Sequence, residues 1–229
     1  MQFKKNNHFS LRYYRDIISE AKKTGYEFCT VSEFYQKGCP NKGHFILRHD
    51  IDLAPNSVQQ MIDVENKEEV KATYYVRVFG SPYNPFDYNI FNCLKVAESQ
   101  GHEIGLHTNP VEFAEINGID PIDVVTAECN VLKSQFNITS LSTHRDLNYM
   151  YNSLPWLEEN WKKIKSITRL ECQAYESIIF ENSVYVNEGL NPHICWRNHR
   201  PEDVIKSGES VYLLTHNHWW FDNHPFEIR

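Results

Sequence analysis

The chain has 229 residues, of which 41% are hydrophobic and 23% charged, and its formal net charge is −7. This composition is that of a folded globular protein and excludes a disordered chain. The negative charge argues against nucleic acid as a main partner, because phosphate binding needs a clustered cationic face. No apolar run approaches the ~20 residues of a transmembrane segment. The N-terminal residues also lack the apolar centre of a signal peptide, so we expect a cytoplasmic protein.

Helical and strand-like patterns alternate along the chain from near its start. Apolar spacing with caps and stops predicts helices, and short apolar runs between turn residues predict strands. In chain order, the pattern predicts helix 10–25, strands 26–31 and 44–50, helix 55–70, strand 72–78, helix 88–101, strand 102–108, helix 121–136, strand 138–145, helix 153–165, candidate strands 177–180 and 183–186, helix 200–208 and strand 210–216.

Repeated β-α units imply a parallel sheet, because parallel strands need crossover helices. Seven or so units fit a closed or nearly closed (β/α) barrel better than an open sheet. No break in composition marks a linker, so we expect one domain over residues 1–229. We therefore predict an α/β fold, a distorted barrel with about seven parallel strands.

Polar side chains stand at the carboxyl ends of several predicted strands. Strand 44–50 ends in Asp50 with Asp52 just after it, and histidines stand at the ends of three later strands, at positions 107, 144 and 216. In a parallel barrel the functional site lies at this end. Because strand residues alternate between faces, Asp50 and Asp52 point the same way.

Two neighbouring carboxylates repel unless a cation stands between or beside them. A metal ion is the economical solution, and Asp with His is a usual ligand set. The alternative is that the aspartates serve only the turn after the strand, where Asp is common. Four strand ends that carry Asp or His in one layer favour a metal or catalytic site.

The motifs then indicate a family. The chain resembles the polysaccharide deacetylase (NodB-homology, carbohydrate esterase 4-like) superfamily, in the branch from surface-polysaccharide biosynthesis clusters in which RHDxD replaces FDDG. The matching pieces, which occur in the family's order, are RHDID at 48–52, VKATYYV at 70–76, GHEIGLHT at 101–108, STHR at 142–145 and LLTH at 213–216.

The resemblance implies roles for five residues of this sequence. Asp50 would be the general base and His216 the general acid. Asp52 and His107 would bind the metal. Arg145 is the nearest match to the arginine that braces the catalytic carboxylate.

The chain departs from the family at one metal ligand. The family has a second histidine four residues after His107, and here that position is Val111. His144 is the best replacement on physical grounds, since it ends a strand on the same face. His218 and His49 are the next candidates, although His49 points to the opposite side of its strand.

The resemblance further implies one divalent metal ion, with zinc first and iron, cobalt or nickel as alternatives, and an N-acylated sugar substrate, nucleotide-linked, lipid-linked or oligosaccharide. Aromatic residues near the barrel mouth are candidate sugar-stacking groups: Trp219, Trp220 and Tyr83. The alternative for each is that it caps the core.

The function implied is a metal-dependent hydrolase that removes an N-acyl group, acetyl or formyl, from a sugar in surface-polysaccharide biosynthesis. A rival hypothesis, favoured by Val111, is an inactive barrel that binds glycan or sugar nucleotide. A third is hydrolysis of a small non-sugar C–N bond.

Overall fold

The structure is a computed structural model that describes residues 9–80, 83–146, 153–188 and 196–222. Its strands are β1 Glu27–Cys29, β2 His44–Ile51, β3 Thr73–Arg77, β4 Glu103–Thr108, β5 Ser140–Thr143, β6 Cys172–Gln173, β7 Val184–Asn187 and β8 Val211–Thr215. Its helices are α1 Leu11–Lys23, α2 Val31–Gln36, α3 Val58–Lys67, α4 Tyr88–Ser99, α5 Pro110–Asn117, α6 Pro121–Lys133, α7 Ser153–Thr168, α8 Ser177–Glu181 and α9 Pro201–Ser207.

Seven strands form a parallel sheet in the order β6-β5-β4-β3-β2-β8-β7, and β1 pairs beside the start of β2. Strands that are not neighbours in this order meet through the interior. The Tyr212 hydroxyl on β8 donates a hydrogen bond of 3.0 Å to the Ala174 carbonyl just after β6. The sheet is therefore curled, and the predicted distorted (β/α) barrel is confirmed.

Two hydrophobic clusters lie on the two faces of the sheet. One lies inside the barrel and includes Ile46, Tyr75 and Tyr212; the larger one packs between the strands and the surrounding helices. Gly105 on β4 makes room for the Tyr75 ring, because a Cβ at this glycine would stand 2.5 Å from a Tyr75 ring carbon.

The structure changes some of the predicted elements. Residues 177–180 were predicted as a candidate strand and form helix α8 instead, whereas the candidate strand 183–186 is confirmed as β7. Helices α2 and α5 and the two-residue strand β6 lie in segments without a prediction. None of the helices in the described part of the chain is long and apolar enough to cross a bilayer.

Candidate active site at the carboxyl end of the barrel

The predicted polar residues converge at the carboxyl ends of β2, β4, β5 and β8. Asp52, just after β2, lies among three histidines. Its Oδ1 is 3.1 Å from His107 Nε2 and 3.7 Å from His144 Nε2, and its Oδ2 is 3.6 Å from His216 Nε2. These histidines, with His107 first, hold the pKa of Asp52 well below its usual range although burial opposes this.

His107 presents an acceptor nitrogen to Asp52. Its Nδ1 lies 3.2 Å from the Ser142 carbonyl, to which it donates a hydrogen bond. A neutral His107 then has no proton on Nε2, the atom that faces Asp52. The Asp52 Oδ1 atom is buried without a hydrogen-bond partner. Asp52 Oδ1 and His107 Nε2 thus present lone pairs to each other across 3.1 Å, an arrangement that a cation between them would stabilise. The hydrogen bond from His107 Nδ1 to the Ser142 carbonyl fixes the histidine tautomer, as such bonds do in metal centres.

His144, the residue after β5, lies on the same side of the sheet as Asp52 and His107. Its ring packs edge-on against His107, with centroids 5.3 Å apart. Burial and His107 lower the pKa of His144 to about 4, so the imidazole is neutral at pH 7, the form that binds metals. His49 lies on the opposite face of β2, as predicted, where its Nε2 donates to Glu65 at 2.6 Å.

Asp52, His107 and His144 offer the oxygen and nitrogen donors that a divalent cation such as zinc binds. Ligand atoms about 2.0–2.2 Å from one ion in a tetrahedral site stand roughly 3.3 Å apart. The His107–Asp52 distance is near this value, and the His144–Asp52 distance is longer. As they stand, no three His, Cys, Asp or Glu side chains within the described ranges form a finished metal site. Metal binding would therefore require a small closure of His144 toward Asp52.

Asp50 is held by an arginine from its own strand. Arg48 Nε donates to Asp50 Oδ1 at 2.9 Å and Arg48 Nη2 donates to Oδ2 at 2.8 Å. Burial alone would raise the pKa of Asp50, but Arg48 and then His107 keep it below its usual value. Arg48 therefore braces Asp50 in the way that the resemblance implied for Arg145, whose side chain is exposed.

His216 is paired with a buried carboxylate that the sequence did not reveal. Glu188, the residue after β7, accepts hydrogen bonds from His216 Nδ1 at 2.7 Å, from the His216 backbone N–H at 2.8 Å and from the Trp220 indole N–H. Burial would lower the pKa of His216, but Glu188, with Asp50 and Asp52, raises it to about 9. His216 is therefore protonated at neutral pH, as a general acid must be.

The three aromatic candidates differ in their surroundings. Trp220 is fully buried against Phe9, so its indole has no face for a sugar, and its role is in the core. The Tyr83 hydroxyl donates to the Ile51 carbonyl at 2.8 Å and accepts from the Arg77 backbone N–H, so it fixes a loop. Trp219 is partly exposed.

Comparison with known proteins gives little similarity. No protein-family model matches the chain. No curated protein matches it either. Among solved structures, it is similar to the chitin deacetylase from the fungal pathogen Colletotrichum lindemuthianum, at 15% sequence identity and a TM-score of 0.45, over 77% of this chain and 74% of that chain. The function proposed below therefore rests on the geometry of the site.

Proposed function

We propose that the protein is a metal-dependent hydrolase that removes an N-acyl group, acetyl or formyl, from a sugar in surface-polysaccharide biosynthesis. The observation that carries this proposal is the convergence of Asp52, His107 and His144 beside two further pairs, Asp50 with Arg48 and His216 with Glu188. The motifs that resemble polysaccharide deacetylases supply the reaction class and the sugar substrate.

Asp52, His107 and His144 would hold one divalent cation, with zinc first and iron, cobalt or nickel as alternatives. Such an ion, when bound by three protein ligands, polarises an amide carbonyl and makes a water molecule more acidic. The donors come from three different strand ends, so the sheet fixes the relative positions of their backbones, and only the small closure of His144 toward Asp52 remains.

Asp50 and His216 would act as base and acid beside the proposed metal ligands. Asp50, ionised and oriented by Arg48, accepts a proton from the attacking water. His216, protonated and oriented by Glu188, donates a proton to the leaving amine nitrogen. The amide bond breaks as the water oxygen bonds to the acyl carbon, which gives a free amine on the sugar and a carboxylic acid. Each such proton transfer typically contributes about 10²–10⁴-fold to the rate.

Metal content tests the ligand assignment. We expect about one divalent ion per chain in wild-type protein purified without chelator, and loss of that ion in Asp52→Ala and in His144→Ala. His199→Gln changes an exposed histidine and is the matched control. Retention of metal in His144→Ala would move the third ligand elsewhere, with His218 the next to test. Absence of metal under every loading condition would contradict the hydrolase.

Release of acetate or formate from N-acylated amino sugars tests the chemistry. In Asp50→Asn and His216→Ala we expect activity to fall by about 10²–10⁴-fold, because each variant removes a proton transfer. Metal content should stay near that of the wild type. Circular dichroism must show that both variants remain folded, because each leaves a buried charge, Arg48 or Glu188, without its partner. Near-wild-type turnover in both variants would refute the assigned roles.

A second candidate function is binding of glycan or sugar nucleotide without catalysis. Two observations favour it: Val111 stands where the related family has a metal ligand, and His144 is slightly too far from Asp52 for a finished site. A barrel that binds sugars with equal affinity in wild-type and Asp50→Asn protein, and that releases no acid from any of them, would support this alternative.

A further inference from the structure

Unpartnered polar atoms are concentrated at one end of the barrel. In the described part of the chain, six buried side-chain atoms have no hydrogen-bond partner: Asp52 Oδ1, His144 Nδ1, Asn187 Oδ1, Glu202 Oε2, Asn217 Oδ1 and His218 Nδ1. All but the Glu202 atom lie at or after the carboxyl end of a strand. Buried polar atoms are normally satisfied, because an unmade hydrogen bond costs about 1–3 kcal/mol. A bound ligand would explain why these atoms are left open here.

Asn187, the last residue of β7, faces the interior of the barrel. It pairs in register with Leu214 of β8, which pairs with Arg48 of β2. Neighbours in one row of a parallel sheet point to the same side, and Arg48 points inward. The row after it, with His49 and Thr215, points outward, and two residues further along β2 and β8 come Asp50 and His216. Asn187 therefore lies one inward-facing row before the proposed base and acid.

The contacts of Asn187 leave only its side-chain oxygen open. The backbone carbonyl accepts a hydrogen bond of 3.0 Å from the Arg197 N–H. The amide group interacts with the Tyr185 hydroxyl, two residues earlier on the same face. The Oδ1 atom is buried and has no partner within the described ranges.

His218 stands on the neighbouring segment, two residues after His216. Its ring lies 5.7 Å from the His216 ring and 4.5 Å from the Trp219 ring, measured between centroids. Trp219 is partly exposed, so an imidazole atom without a partner and an indole face occur together at the mouth. A hydrogen-bonding atom beside an aromatic face is the usual arrangement in a site that binds a ring with polar edges and an apolar face.

We infer that Asn187 and His218 bind the hydroxyl groups of the substrate's sugar ring next to the N-acyl group. A carboxamide oxygen only accepts hydrogen bonds, so its partner must be a donor such as a hydroxyl or an N–H. A phosphate or a hydrocarbon chain would leave this oxygen unsatisfied. The inference rests on the proposed function and adds that a neutral sugar ring, rather than a carrier phosphate or lipid, fills the inner part of the site.

The test measures binding of N-acetylglucosamine and N-acetylgalactosamine by titration calorimetry and ligand-observed NMR. All variants are made in Asp50→Asn protein, so that the sugar is not consumed. We expect Asn187→Leu and His218→Phe each to weaken binding of the preferred sugar by about 3- to 10-fold, the usual value of one hydrogen bond. Asn187→Asp retains the acceptor and should bind more tightly than Asn187→Leu. Asn130→Leu, on the exposed face of α6, is the control.

Metal content and hydrolysis separate this inference from the proposed function. Loss of metal in His218→Phe would identify His218 as a ligand and overturn its role here. Unchanged sugar affinity in Asn187→Leu, with hydrolysis intact in otherwise wild-type protein, would overturn the role of Asn187 and leave the hydrolase standing. If no sugar binds and none is hydrolysed, the proposed function fails and the sugar subsite fails with it.

Discussion

At the scale of single residues, the site depends on buried charges that are paired with charges of opposite sign. Arg48 is fully buried, and besides Asp50 it donates to Ser142, Tyr175 and Tyr212. Its guanidinium also lies 4.5 Å from the Tyr175 ring centroid. All three guanidinium nitrogens of Arg48 therefore donate hydrogen bonds. A buried ion pair is tolerated when its polar atoms are satisfied in this way.

This pairing predicts a coupled effect on stability. Arg48→Met should lower the free energy of unfolding by about 3–5 kcal/mol, because it leaves the Asp50 carboxylate buried without a partner. Adding Asp50→Asn removes that stranded charge, so the double variant should be more stable than Arg48→Met alone. Urea unfolding of the two single variants and the double variant gives the coupling energy.

Arg12→Met, an exposed arginine on α1, is the control and should have little effect. If the loss in the double variant equals the sum of the two single losses, Arg48 and Asp50 are not coupled and the proposed positioning of the base is wrong.

Sequence reasoning reached the residues whose position follows from topology alone. Asp52, His107 and His144 each end or follow a strand, and parallel strands place all their carboxyl ends together. Arg48 and Glu188 were missed for a different reason. A charged residue in a strand, such as Arg48, or just after one, such as Glu188, gives no sign of the carboxylate or imidazole that it contacts, because that contact depends on how the sheet curls.

At the scale of elements, the sequence also failed to predict the shortest helices and strands. Strand β6 has two residues and α8 has five, too few for a hydrophobic period to appear. Helix α2 was not predicted, although Thr30 and Glu33 form a capping box, and its pattern T-x-x-E is a sequence signal for the start of a helix. The long helices and strands were predicted because each spans several periods of its own pattern.

Glu128 on α6 joins two elements that border the site. It accepts hydrogen bonds from Thr108 Oγ1 at the end of β4 and from the Phe79 N–H in the loop after β3. Burial raises its pKa from 4.5 to about 7, against smaller opposite effects of these bonds and of Arg77 and His107. The native state thus holds a proton on Glu128 at pH values where the unfolded chain has released it.

The sign of the pH dependence follows from this difference. A pKa raised in the folded state gives stability that is present below pH 4.5 and lost as the pH rises through about 7. The unfolding free energy of the wild type minus that of Glu128→Gln should therefore fall by about 2–3 kcal/mol between pH 5 and pH 8. Urea unfolding across this range measures it, with Glu115→Gln on the exposed face of α5 as control. A difference that is constant or that rises with pH would contradict the prediction.

At the scale of the whole molecule, the proposed ligands tie together strands that are far apart in the sequence. Asp52 follows β2, His107 lies on β4 and His144 follows β5, so one ion would link three strands of the curled sheet. Unfolding would separate these ligands. An ion that binds the folded chain and not the unfolded one must then stabilise the whole fold.

Metal binding should therefore appear as thermal stability, independently of any reaction. At a free zinc concentration about 100 times Kd, the gain is about 2.7 kcal/mol. For a chain of this size that corresponds to an increase in Tm of roughly 5–10 °C. Calorimetry should show this increase in the wild type and in His199→Gln, and should not show it in Asp52→Ala or His144→Ala. An equal increase in all four proteins would place the ion outside the barrel mouth, because only a ligand set that spans β2, β4 and β5 makes the stabilisation depend on both Asp52 and His144.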